Sequence, residues 1–173
     1  MIFQEALKFY TSETAPLRYA TLQINLGEAY RVIGVTEKRA DILQSAIAAF
    51  RQAMLFVTSE TAPIIYAAAQ NNIGLAYNSL AQLEDRVNNL QLAIEAYQEA
   101  LRFRTPGNDP HGYARTQRSL GFAFDDLGDL RAAIACWHEA VIYFWLVGYI
   151  DEAAQTRSWI EEGEAKLGGD SAS

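Results

Sequence analysis

Gln70-Asn71-Asn72-Ile73-Gly74-Leu75-Ala76-Tyr77 is the clearest of three copies of one stretch. Gln23-Ile24-Asn25-Leu26-Gly27-Glu28-Ala29-Tyr30 precedes it, and Gln117-Arg118-Ser119-Leu120-Gly121-Phe122-Ala123-Phe124 follows it, at a constant interval of 47 residues (23 to 70 to 117). Gln, an apolar residue, Gly, Ala and a ring recur in that order. Self-similarity at a fixed period of this size marks a repeat architecture, in which each unit is one supersecondary element.

Working outward, Tyr66, Ala69, Ile73, Ala76, Tyr77 and Leu80 fall on one helical stripe. The same interval gives Tyr19, Leu22, Leu26, Ala29, Tyr30 and Ile33 upstream, and Tyr113, Thr116, Leu120, Ala123, Phe124 and Leu127 downstream. Before each stripe stands a proline-terminated tract: Thr11 to Pro16, Thr58 to Pro63 and Thr105 to Pro110. Proline is tolerated in the first turn of a helix, where its missing N–H would have no partner anyway. These are helix starts, with Thr14, Thr61 and Asn108 or Asp109 as the expected capping side chains.

A second helix closes each unit. Leu90, Ala93, Ile94, Tyr97, Ala100 and Leu101 form its stripe, matched by Leu43, Ala46, Ile47, Phe50, Ala53 and Met54. The third copy, Ala133, Ile134, Trp137, Ala140 and Val141, arrives seven residues early. Seven residues are about two helical turns, one for each arm of an antiparallel pair. The first two units therefore read as long hairpins and the third as a short one, turning at Leu127-Gly128-Asp129. Gly27, Gly74 and Gly121 sit inside helices at a cost of about 1 kcal/mol each relative to Ala. Close approach of the partner helix backbone, opposite the small Ala53, Ala100 and Ala140, is the expected reason.

The predicted fold is all-α: a right-handed α-solenoid of antiparallel helix pairs, forming one domain over 1–168. Its parts are a partial repeat helix over 1–10, repeats over 15–57, 62–104 and 109–147, and a capping helix over 150–167. A flexible tail occupies 169–173. Phe3, Ala6 and Phe9 align with Phe50, Ala53 and Phe56, so the chain reads as starting inside the second helix of an earlier repeat. Either a native capping helix or a piece cut from a longer array fits that start.

Composition narrows the function classes. Half the residues are hydrophobic and 20% are charged, as in soluble globular proteins. The net charge of −7 argues against nucleic acid and against anionic membrane surfaces, both of which select clustered Lys and Arg. The longest apolar run, Ala140 to Val147, is far short of the roughly 20 residues of a membrane span. A lone cysteine, Cys136, excludes an internal disulfide and fits a reducing, cytoplasmic setting.

In the third unit Leu120-Gly121, Phe124, Ala133, Trp137 and Ala140 stand at separations that resemble the tetratricopeptide repeat, a helix–turn–helix unit. Gln117 replaces the family's early Trp, and Trp145 its late Pro. The first two units are similar to the elongated repeats of bacterial and cyanobacterial proteins, which often accompany caspase-like CHAT domains or other signalling modules; kinesin light chains carry a comparably lengthened repeat. The resemblance implies a protein or peptide partner, held in the concave groove that the first helices line.

No catalytic constellation emerges from the sequence. Cys136 and His138 diverge by about 200° on a helix, and no third ligand is spaced to join them. Asp125-Asp126 and Glu161-Glu162 read as solvated faces. The chain is therefore read as no enzyme, with no cofactor and no metal.

Subtracting the core stripe leaves a candidate groove: Ile24, Asn25, Glu28 and Arg31, then Asn71, Asn72, Leu75 and Asn78, then Arg115, Arg118, Phe122 and Asp125. Asn amides can bond an extended backbone, arginines can pair with carboxylates, and Ile24, Leu75 and Phe122 can anchor apolar groups. An ordinary solvated helix face is the alternative. The carboxylate grip that some of these repeats apply to chaperone tails is expected to be absent, since Ile24 and Glu28 occupy two of its basic or amide positions. The leading function is a non-enzymatic interaction scaffold. Its rivals are an oligomerisation module stacking through open solenoid ends, and a regulatory sensor arm of a larger signalling or protease protein.

Overall fold

A computed structural model describes residues 10–170, which form seven helices. In chain order they are α1 (Pro16–Glu37), α2 (Ala40–Met54), α3 (Pro63–Leu80), α4 (Arg86–Leu101), α5 (Pro110–Leu127), α6 (Leu130–Leu146) and α7 (Ile150–Asp170). The described residues contain no strand. The partial helix expected over 1–10 lies outside the described residues except for Tyr10, and most of the expected tail lies outside them too. The chain divides into two compact units, Met1–Phe103 and Arg104–Ser173. In the first, α1 pairs with α2, α3 with α4, and α2 with α3. In the second, α5 pairs with α6, and α6 with α7.

The 47-residue interval survives to the residue. Pro16, Pro63 and Pro110 each open a helix. Capping differs from expectation at the first two. Thr14 and Thr61 give no cap, because Ala15 and Ala62 occupy the N-cap position. Thr14 instead clasps Thr11, each backbone N–H donating to the other's hydroxyl at 3.2 and 3.3 Å, and Thr58 and Thr61 do the same. At the third start Asp109 does cap, accepting from the Gly112 N–H at 2.9 Å, while Asn108 accepts from the Thr105 N–H at 2.8 Å.

The seven extra residues are spent differently in the two long hairpins. In the first, α1 runs 22 residues against 18 for α5, and α2 begins a turn earlier than α6, as the stripes require. In the second, α3 stops at 18 residues. The added turn of its first arm is irregular backbone over 81–85, ending with Asp85 at φ 40. Asn89 stabilises this bend from inside, donating to the Glu84 carbonyl at 2.8 Å. The third hairpin closes at Gly128, whose φ of 94 is the left-handed conformation that glycine adopts without a Cβ penalty.

The helical glycines have a different cause from the one expected. A Cβ on Gly27 would lie 2.6 Å from the Phe50 ring, one on Gly74 2.5 Å from Tyr97, and one on Gly121 would collide with Trp137. An aromatic ring from the second helix lies on each glycine, and all three rings are buried. The spacing from glycine to ring is 23, 23 and 16 residues, the last shortened by the missing seven.

The repeated Gln also finds its partner. Gln23, Gln70 and Gln117 donate to the hydroxyls of Tyr19, Tyr66 and Tyr113 at 2.9, 3.0 and 2.9 Å. Each of those tyrosines meets a ring of the second helix or the residues just after it edge-on: Phe56, Phe103 and Tyr143 at 5.3, 5.5 and 5.1 Å. Tyr66 and Tyr113 then donate to Glu99 and Glu139 at 3.1 and 3.0 Å. Gln52 stands at the matching position of the first repeat. The three glutamines are thus internal fasteners within each repeat.

Candidate functional site

The twelve predicted groove residues separate into three groups. The first is structural. Asn71 is 4% exposed and its amide points at Asn72 Oδ1, 3.5 Å away. Phe122 lies edge-on between Trp137 at 5.5 Å and Trp159 at 4.6 Å, the second supplied by α7. Ile24 packs on the buried cluster of Ala20, Ala53 and Val57. Asn71 and Phe122 are thereby withdrawn from the open face, Phe122 because α7 lays Trp159 over its flank, which the periodicity of α5 does not reveal, while Ile24 stays half-exposed.

The second group is committed to itself. Arg31 donates twice to Glu28, at 2.9 and 2.6 Å. The hydrogen bond to Glu28 holds the guanidinium above its ordinary range, against the opposing effect of burial. Asn25 and Glu28 border a shallow hollow with Ala29, Val32 and Ile33. A ligand carboxylate could take Arg31 only by displacing Glu28. Asn72, Leu75 and Asn78 are half-buried on α3. Asn78 belongs to a pocket of about 390 Å³ near the hairpin tips, with Val35, Lys38, Leu43 and Leu83, and its buried Oδ1 meets no donor.

The third group lies in the second unit and is the most defined. Arg115 and Arg118, one turn apart on α5, share a pocket of about 310 Å³ with His111, Phe144, Tyr149 and Glu152. The Phe144 ring forms part of its wall, with the Arg118 guanidinium 5.0 Å from the ring centroid. His111 stacks on Tyr149 at 4.1 Å with the planes only 22° apart. Neither arginine has an ion-pair partner among the described residues. Burial lowers the affinity of Arg118 for its proton, and the Arg115 charge lowers it further, partly offset by Glu152. Burial and Arg115 likewise lower His111, so the imidazole stays neutral at pH 7. Two guanidiniums facing one carboxylate leave a net positive pocket with an aromatic wall. Such a pocket suits a single anionic group carried on an apolar or planar stem. Asp125, farther along α5, is exposed.

His111, Tyr149 and Glu152 escaped the sequence reading. A signal for them existed. The third repeat is seven residues short, so a further first helix should start 40 residues after Pro110, at Ile150, where α7 begins. Thr116 and Thr156 stand 40 apart, are both fully buried, and bond the carbonyl four residues back at 2.8 and 2.7 Å. α7 is thus in register with the first helices, and its exposed residues are mostly polar.

Little else has the makings of chemistry. Burial pushes the Cys136 thiol up to about 11, and His138 lies 3.7 Å from Glu164 on the surface. Among the described residues, no group of three or more His, Cys, Asp or Glu could hold a metal, and no helix is long and apolar enough to cross a membrane.

No family model matches the chain, and no curated protein matches it. Among solved structures, it is similar to a crystal structure of MamA at 19% identity, with 96% of this chain and 87% of that one covered and a TM-score of 0.48. It is also similar to a second crystal structure of MamA protein at 17% identity, with 87% and 94% covered and a TM-score of 0.30.

Proposed function

We propose that the chain is a non-enzymatic protein–protein interaction scaffold of the elongated bacterial repeat type, working in the cytoplasm, which holds a peptide segment against its first helices. The observation that carries this reading is the pair Arg115 and Arg118, converging on one aromatic-walled pocket without an acid within ion-pair distance among the described residues. Helical repeats whose cores are closed by internal fasteners leave the first-helix faces free to diverge, and there the polar residues differ from repeat to repeat. Arg115 and Arg118 pair with a carboxylate of the segment. In the first unit, taken by itself, Asn25, Asn72 and Asn78 offer amides to a peptide backbone. Leu75 offers an apolar contact.

The test is selection of a displayed random-peptide library on the native chain and on Arg115→Glu/Arg118→Glu. The native chain enriches peptides with an acidic residue at one fixed position, and the reversed pair loses that preference. If the native chain enriches nothing, or if both proteins enrich the same peptides, the scaffold reading at this face is wrong.

A further inference from the structure

Arg115 and Arg118 are not the only charges in the α5 pocket. Glu152, from the first turn of α7, lines it too. Its carboxylate lies beyond ion-pair distance of either arginine and accepts no hydrogen bond among the described residues. Three formal charges thus share one pocket, two positive from α5 and one negative from α7, with room between them. Burial lowers both Arg118 and His111, Arg115 lowers them further, and Glu152 acts in the opposite direction on each. Its charge is therefore felt across the gap. Arg104 and Asp109, which also act on His111, are paired with each other at 3.1 Å.

An acid at the start of a helix is favoured by the helix dipole. Asp151 stands in the same turn and is exposed, whereas Glu152 is half-buried against the pocket. The matching position holds Arg18, Ile65 and Gly112 in the three first helices, so no other repeat puts an acid there. A ligand carboxylate seated on Arg115 and Arg118 alone would leave Glu152 facing a second negative charge. Like charges in a half-buried site repel, and a carboxylate covered without a partner loses its hydration. Both penalties disappear when the ligand brings a cation to Glu152. The pocket of about 310 Å³ is roughly 8 Å across. On an extended segment, side chains two residues apart leave the same face about 7 Å apart. An acid and a base at that spacing fit the two sides of the pocket together.

We propose that the segment held by Arg115 and Arg118 carries a charge pair, its acid on the two arginines and a lysine or arginine two positions away on Glu152. The inference rests on the scaffold reading above and names the chemistry of its partner. Glu152 is then a specificity-determining residue. It admits a segment of mixed sign and turns away a run of acids, which two arginines alone would accept. Phe144 and Tyr149 wall the same space, where the aliphatic stem of the base can lie.

The experiment uses the full chain and a displayed random-peptide library. The native chain should enrich an acid at one fixed position together with a base two positions from it. Glu152→Gln should enrich the acid alone, and Glu152→Lys should replace the base with a second acid. The leading native peptide, and its form with norleucine at the basic position, are then titrated by calorimetry. The native chain should favour the basic form roughly three- to tenfold, the scale of one partly exposed charged hydrogen bond. Glu152→Gln should bind the two forms equally, and Glu152→Lys should reverse their order. Acid enrichment without a neighbouring base overturns the inference and leaves the scaffold reading standing. So does a base preference that Glu152→Gln retains. A native chain that enriches no acid overturns both. If Glu152→Lys does not fold, Glu152→Gln decides alone, since it exchanges one oxygen for an amide nitrogen.

Discussion

Adding one methyl group at Gly121 opposes two effects of known size, and the structure decides which prevails. Alanine is favoured over glycine in a helix by about 1 kcal/mol, partly because it restricts the unfolded chain. Against this, the new Cβ would lie 2.5 Å from Trp137 Cδ1 and 3.0 Å from Cε2. Unstrained carbon contacts begin near 3.5 Å, so the indole must retreat by about 1 Å. It has little room: Trp137 is 2% exposed, with Phe122 and Trp159 against it. Overpacking of this kind costs about 1–3 kcal/mol. With so little room the cost lies toward the upper end of that range, and Gly121→Ala should destabilise the second unit by up to about 2 kcal/mol after the helical gain is subtracted. Urea unfolding followed by tryptophan emission is the assay, since all three tryptophans, Trp137, Trp145 and Trp159, belong to that unit. Trimming the ring should reverse the sign. In a Trp137→Leu background, Gly121→Ala should stabilise by about 1 kcal/mol, because the obstacle is gone and the propensity gain remains. Gly107, whose added Cβ would meet nothing closer than 3.9 Å, is the control and should tolerate Ala without loss. Gly121→Ala at least as stable as the native chain, with unchanged emission, would show that the ring does not rest on the glycine.

Three further outcomes follow from the same contacts. Tyr66→Phe and Tyr113→Phe each remove a hydroxyl bonded to both a Gln and a Glu, and should cost about 1–2 kcal/mol in denaturant unfolding, whereas Tyr19→Phe, whose hydroxyl accepts from Gln23 and has no Glu opposite, should cost less. Asp109→Ala removes both the α5 cap and the carboxylate 3.1 Å from the largely buried Arg104, and should lose roughly 2–3 kcal/mol by thermal or urea unfolding. Asp109→Asn keeps the cap and should recover part of that loss. Cys136 is held protonated to about 11 by burial, so at pH 8 its reaction with a disulfide reagent should be on the order of a hundredfold slower in the folded chain than in urea, and raising the pH from 8 toward 11 should close the gap. The sign is fixed: the unfolded thiol ionises first, so alkaline pH above about 8.5 favours unfolding. Equal rates at pH 8 would place the thiol in water.

The helices were legible because the chain states each rule three times. Pro16, Pro63 and Pro110 announce the starts, the apolar stripes give the faces, and the seven-residue shortfall gives the length of the last hairpin. Other features depend on three-dimensional partners that spacing alone does not name. The glycines were rightly tied to close approach, but the approaching group is a ring; Phe50, Tyr97 and Trp137 could have been found as the one bulky residue kept facing each glycine. The extra turn failed to become helix in the second repeat because nothing in the periodic pattern distinguishes a helical turn from the 81–85 bend, which Asn89 holds by a bond into the loop. Asn71 and Phe122 were placed on an open face by subtraction. Subtraction cannot see Trp159, 37 residues beyond Phe122, coming to cover it.

That failure locates function more sharply than the pattern itself does. Whatever recurs in all three repeats proved to be construction: glycine under a ring, Gln fastened to Tyr, Tyr edge-on to a ring. Selection for a partner cannot act freely on such positions, because each is tied to a core contact and a change there destabilises the unit. It can act where the repeats disagree. The third repeat disagrees most, placing Arg115 and Arg118 where the second has Ala68 and Asn71, and Ile142, Trp145 and Leu146 where the second has Arg102, Thr105 and Pro106. The two departures lie on different helices and differ in chemistry, one cationic and one apolar. Charge reversal on α5 should therefore change which peptides are held while leaving the unfolding midpoint alone, and substitution at Trp145 on the outer face of α6 should leave peptide choice alone. Variants at Trp145 that changed which peptides are held would mean that the two departures form one surface.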